Sequence, residues 1–153
     1  MPTSIPPNHP KQKLLFFVAQ DMDDKVREKV RDFVLQLASL RRWLNGPPHF
    51  VNSREEPRNP KSGDMAVETL GGYLEIYSAL PPWKLPLEID RQHYDEVAAL
   101  TNALRDFSAD QELAFELELD SVFVGSITDG KMDRSLLEGL LGEWKRHLEA
   151  EAT

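Results

Sequence analysis

The chain has 153 residues, no cysteine, and 26 acidic against 18 basic side chains, which gives a net charge of −8. Its length suits one domain with a full core. The lack of cysteine excludes disulfides, thiolate metal sites and a cysteine nucleophile, and is compatible with a reducing cytoplasm. The longest apolar runs, such as Leu14 to Ala19, are too short to cross a bilayer. We therefore expect a cytoplasmic protein without a membrane partner.

The negative charge is concentrated in the second half of the chain. Residues 1–64 hold 11 basic and 8 acidic side chains, residues 65–110 hold 3 and 8, and residues 111–153 hold 4 and 10. Such a surface repels nucleic acid and anionic membranes, and it attracts basic proteins. We expect no nucleic-acid partner.

The first 46 residues predict a leader, a strand and an amphipathic helix. Residues 1–12 contain four prolines and no periodic apolar pattern, which is typical of a flexible leader. Lys13 to Ala19 is so apolar that we expect a strand buried on both faces. Asp21 or Asp23 can cap the following helix, which we expect to end at Gly46. Its apolar residues recur at helical spacing: Val26, Val30, Phe33, Val34, Leu37, Leu40 and Leu44.

The middle of the chain predicts a short edge strand and a hairpin. His49 to Asn52 fits the edge strand, and a charged loop follows it. Two strand-like runs, residues 65–70 and 73–78, flank Gly71-Gly72. Because a two-residue hairpin turn needs positive φ, which glycine adopts readily, we predict a hairpin here.

A proline-rich connector and a second helix come next. Residues 81–86 cannot lie in a helix interior or a central strand. Trp83 within them either covers the edge of the core or anchors a partner. Asp90 or Asp95 can cap a helix that runs to about Phe107.

The last third predicts two antiparallel strands and a third helix. Apolar and polar residues alternate from Leu113 to Asp120, and Val122 to Ile127 forms the partner strand after a turn at Asp120-Ser121. Asp133 can cap the last helix, whose apolar face repeats at Leu136, Leu137, Leu140, Leu141, Trp144 and Leu148.

The order of elements is β-α-β-β-β-α-β-β-α. It predicts a single α+β domain over residues 13–150, with a mainly antiparallel sheet of about five strands and three helices largely on one face.

The predicted middle hairpin brings two carboxylates and two tyrosines onto one face of the sheet. A two-residue turn at Gly71-Gly72 places Glu68 opposite Glu75, with Tyr73 and Tyr77 on the same face. Like charges directly opposite each other are destabilising. We therefore expect a basic side chain from the first helix or the charged loop, a bound cation, or a basic partner to offset the repulsion.

The closing hairpin adds Glu116 and Glu118 to a similar outward face, and the length of its turn decides what surrounds them. A two-residue turn at Asp120-Ser121 places Phe123 and Ile127 beside the glutamates, whereas a three-residue turn buries both apolar side chains. Only the two-residue turn produces a mixed acidic and apolar surface.

These side chains support several hypotheses for function. In the first, a non-enzymatic protein docks a basic protein through a surface in which aromatic side chains supply contact area and carboxylates supply steering. That surface comprises Glu68, Tyr73, Glu75, Tyr77, Trp83, Glu116 and Glu118. Small acidic bacterial immunity proteins neutralise basic toxins in this general manner. The analogy concerns the manner of binding, and no motif of this sequence identifies that family.

The alternatives use the same carboxylates differently. They could act as general acid and base, or bind a divalent metal, in a hydrolase. A second copy of the chain could instead cover the face in a homodimer. The simplest alternative is that the glutamates only solvate an open sheet face.

Other chemistry is weakly represented. The four histidines are scattered without metal-binding spacing, and we expect His93 to form a local hydrogen bond near the start of the second helix. The sequence contains no phosphate-binding glycine loop, nucleophile elbow or dinucleotide fingerprint. We expect no cofactor, and a binding protein rather than an enzyme.

Overall fold

The computed structural model describes residues 8–55, 67–78 and 85–151, which form an α+β fold around one antiparallel sheet. Its strands are β1 (Lys11–Val18), β2 (His49–Glu55), β3 (Val67–Tyr77), β4 (Ala114–Leu119), β5 (Val122–Thr128) and β6 (Lys131–Met132). Its α-helices are α1 (Asp24–Leu40), α2 (Leu87–Gln111) and α3 (Glu143–Glu151), with a π-helix at Ser135–Gly142. The strand order is β2-β3-β1-β4-β5-β6.

The helices pack on one face of this sheet and leave the other face open. Leu14, Phe16 and Val18 of β1 are buried under the helices, whereas Leu15 and Phe17 between them lie on the open face. The predicted α+β class with one-sided helices is confirmed. The prediction that β1 is buried on both faces is wrong, because no helix of the described ranges covers its second face.

The ends of β1 and α1 differ from the predicted boundaries. β1 begins at Lys11, and residues 1–7 of the predicted leader lie outside the described residues. Asp23 caps α1 as predicted, accepting a hydrogen bond from the Val26 N–H at 2.8 Å. The helix ends at Leu40 rather than Gly46, because Trp43 turns back into the core and donates its indole N–H to the Ala38 carbonyl.

The predicted hairpin at Gly71-Gly72 is wrong, because residues Val67–Tyr77 form one continuous strand. Each glycine pairs with a residue of β1 on one side and with a residue of β2 on the other. Neither glycine has the positive φ that a two-residue hairpin turn requires. The N-terminal part of the predicted hairpin, residues 65 and 66, lies outside the described residues.

Close packing explains the two glycines. A methyl group on Gly71 would lie 1.8 Å from the carbonyl oxygen of Phe16, and one on Gly72 would lie 2.8 Å from the Phe16 ring. Phe16 is fully buried, and its ring lies against the bare backbone of Gly72. The glycines therefore permit close approach of β3 and β1 rather than a turn.

The closing hairpin has the two-residue turn that produces a mixed surface. Asp120 and Ser121 have φ of +49° and +71°, and Leu119 pairs with Val122. A β-bulge between Leu117 and Glu118 then shifts the register, because Phe123 lies opposite Glu118 whereas Gly125 lies opposite Leu117.

The bulge places Phe123 and Ile127 on opposite faces of the sheet. Phe123 lies beside Glu118 on the open face, as predicted for a two-residue turn. Ile127 pairs with Phe115 and is fully buried, which corrects the prediction that it joins Phe123. One extra residue, Val124, accounts for the change of face.

The last helix starts where predicted but begins with a wider helical geometry. Asp133 caps it, accepting a hydrogen bond from the Leu136 N–H at 2.9 Å. The π-helix that follows joins residues five apart, so its side-chain spacing differs from that of an α-helix. Leu137, predicted to lie on the buried face, is therefore 52% exposed.

The second helix is longer than predicted. α2 begins at Leu87, directly after Pro86, and continues to Gln111. Among the residues that the structure describes, no helix is long and apolar enough to cross a membrane.

We predict that Gly71→Ala lowers the free energy of unfolding by roughly 2–3 kcal/mol or more, because the methyl group would overlap the backbone of β1. Gly139→Ala is the matched control, since nothing lies within 4 Å of the added carbon, and we expect it to change stability by about 1 kcal/mol or less. Urea unfolding followed by circular dichroism measures both. Equal midpoints for the two variants would contradict the close approach.

Candidate functional site

The open face of the sheet brings together five of the seven residues predicted to form a docking surface. Tyr73, Glu75 and Tyr77 project from β3, and Glu116 and Glu118 project from β4, on either side of β1. Trp83 lies outside the described residues. The seventh residue, Glu68, points to the opposite face.

Glu68 lies under helix α1, which corrects its predicted position. In a continuous strand, Glu68 shares a face with Leu70 rather than with Tyr73. Arg27 of α1 donates from Nε and Nη2 to the two oxygens of Glu68, at 2.7 and 2.8 Å. These hydrogen bonds, with the nearby positive charge of Arg54, hold the pKa of the Glu68 carboxyl below its ordinary value.

The predicted repulsion between Glu68 and Glu75 is therefore absent. Glu68 pairs across the strands with Arg54, and Glu75 pairs with Lys13. A basic side chain of the first helix, one of the alternatives that the sequence left open, does pair with Glu68, but on the helix side of the sheet and without a second glutamate nearby.

Each of the two tyrosines on the open face is already in contact with basic neighbours. The Lys13 ammonium lies 4.8 Å from the centre of the Tyr73 ring, and the His49 ring stacks on Tyr73 at 5.0 Å. The Lys11 ammonium lies 5.8 Å from the Tyr77 ring. These contacts are cation–π and aromatic interactions within the chain, so this half of the open face is less acidic than the sequence predicts.

The acidic character is concentrated in a smaller area, which we call the acidic–apolar patch: Leu15, Phe17, Glu116, Glu118 and Phe123. On β1, Phe17 lies opposite Glu116 and Leu15 lies opposite Glu118. On its other side, Glu118 lies opposite Phe123 of β5. Phe123 is 52% exposed. Within the described ranges, neither glutamate has a hydrogen-bond or ion-pair partner.

Glu75 and Glu116, on the two strands that flank β1, lie too far apart to act together as an acid–base pair. Glu75 lies opposite Lys13 and Glu116 opposite Phe17, so their backbones are offset by four residues of β1, or about 13 Å along the strand. In the part of the chain that the structure describes, no three His, Cys, Asp or Glu side chains are grouped to hold a metal ion.

A fully buried pair, His93 and Glu96, lies apart from the open face. The Tyr77 N–H donates to His93 Nε2 at 3.1 Å, so the ring proton is on Nδ1, which donates to Glu96 at 2.9 Å. The second Glu96 oxygen accepts the Leu44 N–H at 2.6 Å. This network joins the end of β3, helix α2 and the segment after α1.

The buried pair is structural because every atom that could react is already bonded. His93 Nε2 accepts a backbone N–H and is not accessible to a substrate. The predicted local hydrogen bond of His93 is confirmed by its bond to Glu96. Sequence reasoning missed Glu96, although a histidine and a glutamate three residues apart on a helix are a recognisable signal.

Sequence reasoning also missed the contribution of β1 to the open face. Lys13, Leu15 and Phe17 lie on it because alternate residues of a strand point to opposite sides. The apolar run indicated a strand but not that one of its faces is open.

A comparison with protein-family models, curated proteins and solved structures found no match for this chain.

We predict that Glu96→Gln destabilises the fold by about 1–3 kcal/mol, because an amide offers only one acceptor oxygen to two buried N–H donors. Asp95→Asn, an exposed neighbour on α2, is the control, and we expect a change within about 0.5 kcal/mol. Urea unfolding at pH 7 measures both. An unchanged midpoint for Glu96→Gln would show that the network contributes nothing.

We predict a pH-dependent stability difference between the wild type and Glu68→Gln. The Glu68 pKa is lower in the native state than its ordinary value of 4.5, so the ion pair with Arg27 stabilises the fold at pH above 4.5. This contribution is lost as pH falls through the lower native pKa. Urea midpoints should therefore differ at pH 7 and converge in acid, whereas Glu149→Gln should match the wild type throughout.

Proposed function

We propose that this chain is a non-enzymatic cytoplasmic binding protein that docks a basic protein partner through the acidic–apolar patch. The observation that carries the proposal is the composition of this patch. Glu116 and Glu118, which have no partner among the described residues, lie beside Leu15, Phe17 and Phe123 on a sheet face that no described helix covers. The absence of cysteine is compatible with the cytoplasm.

The patch combines the two properties that a specific interface needs. Its apolar side chains supply contact area that is favourable to remove from water. Glu116 and Glu118 supply charge that selects a partner with lysine or arginine at matching positions. The net charge of −8 adds long-range attraction for a basic protein.

The charges favour a basic partner over a second copy of the chain. A two-fold contact centred on the patch brings the glutamates of both copies close together, because the same surface is used twice. Such carboxylates repel each other unless a cation lies between them. A basic partner instead neutralises them on binding.

We predict that Glu116→Lys with Glu118→Lys weakens binding to the basic partner by about tenfold or more. The partner is captured from a host lysate with the wild-type chain, purified, and titrated by calorimetry. Increasing salt should weaken the wild-type complex, because exposed charges are screened.

The matched control is Glu28→Lys with Glu149→Lys, which changes the net charge equally at exposed helical positions away from the patch. We expect this variant to keep most of the affinity. Equal affinities for both double variants would contradict the proposal. So would light scattering that shows a dimer, rather than the monomer mass of 17.5 kDa, at micromolar concentration.

A further inference from the structure

A cleft of about 430 Å³ lies on the helix side of the sheet, away from the acidic–apolar patch. The start of β1, the ends of β3 and β4, the start of α2, the π-helix and α3 form its walls. Ile76, Leu119, Leu140 and Trp144 supply most of its apolar lining. The volume falls within the range of about 300–1,000 Å³ that small-molecule sites occupy.

Two carboxylates, Asp90 and Glu143, line this apolar cleft, and none of its described lining residues is a lysine or arginine. Asp90 is only 8% exposed. One of its oxygens accepts the indole N–H of Trp144 at 2.8 Å, and the other has no hydrogen-bond partner among the described residues. Asp90 lies in the first turn of α2, where the positive end of the helix favours a carboxylate, and its second oxygen is available to a cationic ligand.

Among the described residues, no basic side chain contacts Asp90. Glu143 forms an ion pair with Arg146, whose side chain is outside the cleft lining and 62% exposed. His147 also lines the cleft, and its Nε2 atom lies 3.6 Å from a carboxylate oxygen of Glu151. Neither residue has a described contact with Asp90.

The aromatic wall of the cleft is held in place before any ligand binds. The Trp144 indole is fixed by its hydrogen bond to Asp90 and by an edge contact with Tyr94, with ring centres 5.7 Å apart. An indole is the aromatic ring that attracts cations most strongly. The cleft therefore combines a fixed aromatic ring, apolar walls and negative charge.

We propose that this cleft binds a small organic cation, an ammonium group attached to an apolar body. The ammonium lies against the Asp90 and Glu143 carboxylates, and the apolar body packs against Leu119, Leu140 and Trp144. This site is independent of the acidic–apolar patch, because no residue of that patch lines the cleft.

The test titrates three probes of similar shape into the full 153-residue chain. They are the cationic phenethylammonium, the neutral 2-phenylethanol and the anionic 3-phenylpropanoate. Binding is followed by nuclear magnetic resonance of the assigned backbone and indole N–H signals. We expect phenethylammonium to produce saturable shifts at Trp144 and the neighbouring helical residues. Its affinity should exceed that of the alcohol by about tenfold or more, and the anion should not bind.

Variants assign the effect to the carboxylates. Asp90→Asn keeps an acceptor for the Trp144 indole and removes the charge, so we expect a loss of affinity of about tenfold. Glu143→Gln and Glu138→Gln are a matched pair, because the two side chains are 71% and 66% exposed on the same helical segment but only Glu143 lines the cleft. We expect weaker binding for Glu143→Gln and unchanged binding for Glu138→Gln.

Several outcomes would overturn the proposal. They are equal binding of the ammonium and the alcohol, shifts confined to the open sheet face, or unchanged affinity in folded Asp90→Asn. If Asp90→Asn does not fold, the Glu143 and Glu138 pair decides, and equal affinity in that pair overturns the proposal. Loss of partner binding in the patch variants leaves this site unaffected, so the two proposals fail separately.

Discussion

The close pairing of β1 with β3 is the constraint on which the rest of the structure depends. β1 is an interior strand, with β3 on one side and β4 on the other, and the ring of Phe16 lies against Gly72. A side chain at Gly71 would overlap the backbone of β1. Because the two glycines leave this space empty, β3 runs straight through them and pairs with two neighbours, and the sheet extends to β2.

The straight course of β3 decides which charges meet. Alternate residues of a strand point to opposite faces, so Glu68 lies under α1 with Arg27, whereas Tyr73 and Glu75 lie on the open face with Lys13. The same alternation along β4 leaves Glu116 and Glu118 beside apolar side chains and without partners in the described ranges. One face thus contains the ion pair of Arg27 with Glu68, and the other contains two glutamates that no described residue pairs with.

The parts of the fold that local chemistry controls were predictable. Asp23 and Asp133 cap their helices because a short acceptor satisfies the free N–H groups of a first turn. The position of the turn at Asp120-Ser121 also followed from local pattern, whereas its length did not. The helix end at Leu40 did not, because burial of Trp43 overrides a continuing apolar repeat. The bulge opposite Leu117 was equally hidden, since one extra residue leaves the alternating pattern almost unchanged.

By itself, the sequence determined the α+β class, most of the elements and the acidic outward residues of β4, because periodicity and capping act between residues close in the chain. Only the tertiary structure decided the role of Gly71-Gly72, the ion pair between Arg27 and Glu68, and the cleft beside Asp90. The physical reason is that glycine serves a turn and a close approach equally well. Which one occurs depends on strands distant in sequence that pack against it.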